Sequence, residues 1–513
     1  MQAKLVRGKV VLSQVRGRNE AVTTDDGAVL VVDGMVEKVG AYDDLAQEFP
    51  DAEIVGDGRD VVLPGFVNSH HHIGLTPVQL GSPDMPLELW FATRLVFQSV
   101  DLYLDTLYSA FEMIASGITT VQHLHGWLPG RLQEAEAGAI EVLRAYEAIG
   151  MRASYSVATR DQCRMVYGDD EAFLATLPPD VETALRRHFD RFQLTLSEQR
   201  DLFLALYARY RDHERIQIQL APANLHWCSD AALDQVAELS EATGAPMHMH
   251  LLETAYQKEY AWRRAGMSAV EKIALHGLLD PRMTIGHGVW LTEADVDRIA
   301  DAGASICHNC SSNLRLRSGV GALNAWAKRG VNVGLGIDEA GINDDRDMLQ
   351  EIRLALRLHR VPGHDEADVP SIAQILRAAT EGGALTTPFA SRIGALRPGC
   401  AADLVMIDGQ AVSYPFRAAE TPLLDAATLR AQRQHVRQVM VAGETVYEGG
   451  QFKRVDRDGA LEALREDMNR ALRSDETERK WLAKAVLPHV RRFYEGWFDP
   501  TDAQPFYATS SRV

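Results

Sequence analysis

Over roughly 330 residues, from 63 to 392, the chain repeats one unit, an amphipathic helix followed by a short apolar run, and few folds accommodate that alternation. Asp230 to Gly244 sets Leu233, Val236, Ala237, Leu239 and Ala242 near helical spacing, stops at a glycine, and gives way to Pro246-Met-His-Met-His-Leu251. A second unit opens at Thr292-Glu-Ala-Asp295, a capping-box pattern, and ends in Ala304-Ser-Ile-Cys307. Val331-Asn-Val-Gly-Leu-Gly-Ile337 reads as a further buried strand. Repetition of this unit favours a parallel sheet, and a closed (β/α)8 barrel is the expected α/β form.

The two ends of the chain read differently. Residues 1–62 hold Lys9-Val-Val-Leu12, Gly27-Ala-Val-Leu-Val-Val32 and Met35-Val-Glu-Lys-Val39, and residues 393–452 hold Ala402-Asp-Leu-Val-Met-Ile407 and Val436 to Val446. These strand-like runs predict one small β-sandwich built from both ends. Residues 453–513 alternate in charge with leucine and alanine at helical intervals, which predicts a C-terminal helical extension. Its Trp481, Phe493, Trp497 and Phe498 are read as docking residues, against the barrel or a second subunit, and a homo-oligomer is expected.

A formal charge of -18 argues against a nucleic-acid partner, because a phosphate backbone needs a basic face. No apolar run reaches the roughly 18 residues of a membrane span, and the N-terminus leads directly into strand-like sequence, so a cytoplasmic protein with no membrane partner is expected. Five scattered cysteines suit reduced thiols, and Cys307-x-x-Cys310 is read as a loop following a buried strand.

Chemistry enters at Asn68-Ser-His-His-His-Ile-Gly74. Strand residues alternate sides, so His70 and His72 point one way and His71 the other, toward the helical layer. Two histidines at that spacing are weak evidence for a metal. They acquire company at the ends of other predicted strands: His250, His287 and Asp338. In a (β/α)8 barrel all those ends face one cleft, so distant polar residues converge there.

Taken together, Pro64-Gly-Phe-Val-Asn-Ser-His-His-His72, Ser116-Gly-Ile-Thr-Thr-Val121, His250-Leu-Leu-Glu-Thr254, Ile285-Gly-His-Gly288, His308-Asn-Cys-Ser-Ser-Asn-Leu314 and Gly336-Ile-Asp338 resemble the amidohydrolase superfamily. The resemblance is strongest to its mononuclear branch, with the cytosine, guanine and S-adenosylhomocysteine deaminases and the triazine and phenylurea hydrolases. It implies that His70, His72, His250 and Asp338 hold one divalent metal, with His287 beside a small-molecule substrate. A bridging residue for a second ion is missing from the expected fourth strand, Arg215-Ile-Gln-Ile-Gln-Leu-Ala-Pro222, so one ion per subunit is expected. Three nitrogens and a carboxylate suit zinc first and iron second.

A bound cation lowers the pKa of water from about 15.7 toward 7 and makes hydroxide available. Asp338 is expected to accept a proton, Glu253 to protonate a ring nitrogen or the departing amine, and His287 to steady the tetrahedral intermediate. The competing reading of Glu253 is a helix cap. His125, and less so its neighbour His123, is a candidate cleft or substrate residue; His248 is expected to be a buried, hydrogen-bonded histidine one layer deeper. Trp90 and Phe91 form either a lid over an aromatic substrate or packing between loop and barrel. Where nucleoside-deaminating relatives carry Gly-Pro-His, this chain has Ala221-Pro-Ala223, which weighs against adenosine-type substrates. Glu339 replaces the glycine that follows the aspartate in many relatives, and either orients a substrate or caps the next helix. The reading is a hydrolase of a C–N bond other than a peptide bond, acting on an N-heterocyclic or N-substituted small molecule with release of ammonia or an amine. The alternatives are a hydrolase of an open-chain aryl urea or amide, and a non-catalytic barrel scaffold.

Overall fold

The computed structural model describes residues 3–126, 128–360 and 369–498. Eight strand segments in chain order build the barrel wall: Phe66–His71, Ile118–His125, Arg152–Thr159, Ile216–Ile218 continued by Ala221–Pro222, Met247–Leu251, Met283–His287, Ser305–His308 and Asn332–Leu335. Neighbours pair in parallel within a first group of four and a second group of four. Single bridges join the groups at both seams, Leu220 to Met247 and Asn224 to His250 on one side, His71 to Asp338 on the other. The ring of hydrogen bonding is therefore continuous, which places every strand's C-terminal end around one mouth.

Local sequence accounts for the helices between these strands. Asp230–Thr243 begins at Ser229, whose side chain accepts from the Ala232 amide, and ends at Gly244 with φ 72°. Glu293–Asp301 is opened by Thr292 and Asp295 in a reciprocal capping box.

The chain ends form one hydrogen-bonded sheet of nine strands. Its order runs Gln451–Phe452, Glu444–Glu448, Val436–Val441, Leu404–Ile407, Val61–Pro64, Ala3–Arg16, Glu20–Val32, Met35–Ala41, with Glu53–Val55 beside Ala3–Arg16. A bridge from Met35 to Ala401 returns the far edge onto the middle of the sheet. Val6, Val29, Val62, Leu404, Met406 and Met440 pack between the folded halves. The two layers expected of a sandwich thus belong to a single continuous sheet. Val61–Pro64 lies in it, paired with Leu404–Ile407, and the barrel begins at Phe66. Gly65 makes the transition, and a Cβ there would stand 2.3 Å from the Thr119 side chain, so a larger residue would push the two apart.

Two helices, Arg457–Met468 and Ser474–Phe493, make up the extension as far as residue 498; residues 499–513 of the expected segment lie outside the described residues. The second helix lies on the short helix Leu87–Thr93, and Leu482, Val486, Val490, Tyr494 and Trp497 bury themselves with Ala92, Leu95, Val166 and Tyr167. Each such aliphatic side chain contributes about 1.5–3 kcal/mol by leaving water. Phe493 and Phe498 pack against the same cluster, whereas Trp481 is 44% exposed. Docking is within the subunit for three of the four aromatic residues.

Candidate metal centre and cleft

His70 and His72 leave the first barrel strand on the same side, as strand alternation requires, and His250 arrives from the fifth. The Nε2 atoms of His70 and His72 are 3.1 Å apart, those of His70 and His250 3.1 Å, and those of His72 and His250 3.0 Å. Nitrogens bound about 2.0–2.1 Å from one zinc-sized ion form a triangle close to this size. Asp338 Oδ1 completes the set, 3.3 Å from His72 Nε2 and 3.6 Å from His70 Nε2.

The other nitrogen of each ring is already committed. His72 Nδ1 donates to the Leu124 carbonyl at 2.5 Å and His250 Nδ1 to the Ala223 carbonyl at 2.9 Å, while His70 Nδ1 meets His248 Nε2 at 2.8 Å. A ring that donates from Nδ1 presents a lone pair at Nε2, the form that binds a metal. Burial, then neighbouring imidazoles, holds His70 and His250 well below the ordinary histidine range, so both stay neutral. The donor set and its protonation fit a divalent cation.

Backbone geometry departs from regular strand at this mouth. Leu252, His287 and Asp338 adopt φ of 53°, 70° and 64°. Such conformations cost about 1–3 kcal/mol for residues with a Cβ and collect where side chains must be aimed. The eighth strand reaches Asp338 by way of Gly336, where a Cβ would lie 2.6 Å from that of His70. Ser312 Oγ donates to Asp338 Oδ2 at 2.6 Å, and the Asp338 amide donates to the His70 carbonyl at 2.8 Å.

Glu253 and His287 stand beside this set. His287 Nε2 is 3.8 Å from Glu253 Oε2 and 3.8 Å from Asp338 Oδ2, and its Nδ1 pairs with Asn313 Oδ1 at 2.9 Å. Burial pushes the Glu253 carboxyl up to about 7 against the pull of His287. Helix Ala255–Ala265 is capped by Thr254, which removes the capping reading of Glu253. Behind it, Glu88 Oε1 accepts from Thr254 Oγ1 at 2.5 Å and from the Tyr167 hydroxyl at 3.0 Å, and the Tyr167 amide donates to the hydroxyl of Tyr494 at 3.1 Å. The C-terminal helix is thereby linked to the back of the cleft.

Trp90, Phe91, Leu87, Trp227, Leu124 and Leu316 line the apolar part of the cleft. Glu339 lies in its wall and pairs with Arg94 Nη1 at 2.8 Å; the next helix, Met348–Leu358, is capped by Asp347, so capping by Glu339 is ruled out. His248 is buried and hydrogen-bonded, as expected. His71 is buried within 5.1 Å of the His123 ring, whose Nδ1 pairs at 2.8 Å with Tyr146 on helix Leu132–Ile149, so His71 faces the helical layer.

Leu124 faces the cleft, so alternation turns both His123 and His125 away from it. His125 instead bonds the Tyr155 hydroxyl at 3.0 Å and lines a neighbouring cavity that also holds Arg164, Arg191 and Arg479. Sequence reasoning gave no role to Ser312, Asn313 or Asn309, although all three lie in the motif His308-Asn-Cys-Ser-Ser-Asn313. Arg94, which holds Glu339, had no sequence signal at all.

With this geometry in place, the family model described as Amidohydrolase family matches residues 61–446. The chain belongs to the amidohydrolase family. A second model, an imidazolonepropionase-like composite domain of bacteria, matches residues 27–52. Among curated relatives of this amidohydrolase, a 5-methylthioadenosine/S-adenosylhomocysteine deaminase of Nitratidesulfovibrio vulgaris is 29% identical over 447 residues, 86% of this chain and 91% of the relative. An 8-oxoguanine deaminase of Pseudomonas aeruginosa is 32% identical over 450 residues, 85% of this chain and 91% of the relative. The crystal structure of an adenosine deaminase from Xanthomonas campestris with bound zinc superposes with a TM-score of 0.75 at 24% identity, over 91% of this chain and 98% of that one, which supports the barrel fold.

Proposed function

We propose that this amidohydrolase hydrolyses a C–N bond at an sp2 carbon of an N-heterocyclic small molecule and releases ammonia or an amine. The observation that carries the reading is the meeting of three imidazole Nε2 atoms, the Asp338 carboxylate, Glu253 and His287 at one strand mouth. The deaminase names of its relatives point the same way. We assign His70, His72, His250 and Asp338 to a single divalent ion, zinc before iron; when bound, it would make water acidic enough to attack near neutral pH.

The chain's own residues handle the protons. Water's oxygen bonds to the ring carbon, the C–N bond breaks with its electron pair on nitrogen, one water proton leaves on the amine, and the other stays on the oxygenated product. Asp338, steadied by Ser312, takes a proton from the attacking water. Glu253, protonated below about 7, supplies one to a ring nitrogen or the leaving amine. His287, 3.8 Å from both carboxylates, is placed to donate toward developing negative charge. Trp90 and Phe91 offer apolar aromatic surface against which a ring would pack.

The same wall would accept an aryl ring, which supports an open-chain aryl urea or amide as the second reading. The homo-oligomer belongs to the proposal as well, and so does a cytoplasmic setting, which five buried free cysteines favour. Metal analysis of the purified protein, followed by a screen of amino-heterocycles against aryl ureas for released amine, tests the reading. A protein that holds no stoichiometric zinc or iron, or one that releases no amine from either set, would defeat it.

A further inference from the structure

Beside the cleft, bordered by the helix Ser474–Phe493, lies a second cavity of about 410 Å3. Five arginines line it, Arg94, Arg160, Arg164, Arg191 and Arg479, and among the described residues no aspartate or glutamate does. In a chain whose formal charge is -18, such a concentration of cations calls for a reason. Arg94 pairs with Glu339 at 2.8 Å, Arg164 with Asp170 at 2.8 Å and Arg479 with Asp475, three carboxylates that stand outside the lining. Arg160 lies over the Trp227 ring at 4.2 Å. The Arg191 side chain has no ion pair or hydrogen bond among the described residues, and its guanidinium stands 5.8 Å from the centre of the Phe192 ring.

Four separate parts of the chain bring these cations together: the turn Arg94–Val96, the loop after the third barrel strand, the end of helix Pro179–Phe189 and the helix Ser474–Phe493. The last lies beyond residue 446, where the family match ends. Burial, then the Arg479 guanidinium, holds Arg191 below the ordinary arginine range. Burial and then Arg191, Arg479 and Arg164 push His188 down to about 3, so that ring stays neutral. Like charges crowded into a partly enclosed space destabilise the fold until an opposite charge joins them. The guanidiniums are within reach of a ligand, since the Arg94 and Arg164 side chains keep 26% and 32% of their surface exposed. Phe97, Met165 and Phe192 add apolar surface beside them. Phe91, Arg94, Gly126 and Arg160 line this cavity and the cleft alike, so they form a wall between the two.

We infer that this cavity is a binding site for an organic anion, a phosphate or carboxylate group on an apolar body, separate from the ligand that the cleft turns over. The planar fork of a guanidinium suits either oxyanion. Arg191, with no carboxylate of its own, makes the principal contact, and Arg164 and Arg479 add positive charge around it. The aromatic rings take the apolar body.

Calorimetric titration with phenyl phosphate, benzoate, inorganic phosphate and neutral benzyl alcohol tests the assignment. The proteins are the metal-loaded wild type, the same protein after chelation, and Arg191→Gln, Arg191→Lys and Arg144→Gln. Phenyl phosphate or benzoate is expected to bind at least about tenfold tighter than inorganic phosphate, because its ring also leaves water, and benzyl alcohol is expected not to bind. Arg191→Gln should weaken the aryl anion at least about tenfold, Arg191→Lys less, and Arg144→Gln, at an exposed position remote from the cavity lining, not at all. Arg191→Gln breaks no ion pair and relieves repulsion, so its thermal midpoint without ligand should equal or exceed that of the wild type. Affinity that survives chelation supports a site apart from the metal centre. Loss of binding on chelation places the anion on the metal and overturns the inference. So does binding of neither aryl anion, equal affinity in Arg191→Gln and wild type, or benzyl alcohol bound as tightly as the anions.

Discussion

A carboxyl group raised to about 7 by burial changes its job within the physiological range, and Glu253 is such a group. Its ordinary value is 4.5, so between there and about 7 the folded protein keeps a proton that a solvated glutamate would have lost. As a proton donor it works on the acid side, and kcat/KM falls as pH rises through that value. Glu253→Gln is expected to lower kcat by about 100- to 1,000-fold and to erase that descending limb, with metal content unchanged. A pH–rate profile of both proteins checks this. A paired comparison addresses the histidines: His72→Ala should lose most of its metal, whereas His125→Ala should keep it, because the latter ring faces Tyr155 in the neighbouring cavity. The metal to protein ratio decides. The histidines and Asp338 were legible in the sequence because each closes a recognisable apolar run. The side to which His125 points was not, since alternation fixes which residues share a face and leaves open which face is inward.

At the level of elements, the short helix Leu87–Thr93 carries the aromatic wall of the cleft and is itself covered by Ser474–Phe493. Leu482→Ala, at a fully buried position, should destabilise the protein by about 2–5 kcal/mol in denaturant unfolding. Tyr494→Phe removes the acceptor of the Tyr167 amide at a cost of about 1 kcal/mol, and with it one support of Glu88. A rise in KM for Tyr494→Phe, larger than its effect on kcat, would mark looser positioning of the wall. The start of one helix at Thr292 and the stop of another at Gly244 could be read from the residues because such end signals are local interactions. The pairing of Val61–Pro64 with Leu404–Ile407 could not, because nothing local in either run names its partner. The same reason hid the place of the C-terminal helix, whose apolar stripe announces burial without saying against what.

For the whole molecule, the proposed metal set draws on the first, fifth and eighth barrel strands, so an ion there would bind the folded chain in preference to the unfolded one. Chelation should lower the thermal midpoint, by the equivalent of about 4 kcal/mol when free metal stands a thousandfold above its dissociation constant. Differential scanning calorimetry with and without chelator, followed by zinc readdition, provides the measurement; the His72→Ala protein should show no such shift. The family and the barrel were visible from motifs, while the seams that close the ring, Asn224 to His250 and His71 to Asp338, emerged only in three dimensions. The shared nine-stranded sheet carries a further implication for biosynthesis. A ribosome releases the N-terminal hairpin long before it makes Leu404–Ile407, so throughout elongation the nascent chain exposes the Val61–Pro64 edge with no neighbour to cover it. Prematurely terminated products should accordingly accumulate as aggregates or chaperone clients, and full-length chains should become protease-resistant only after their last strands leave the exit tunnel.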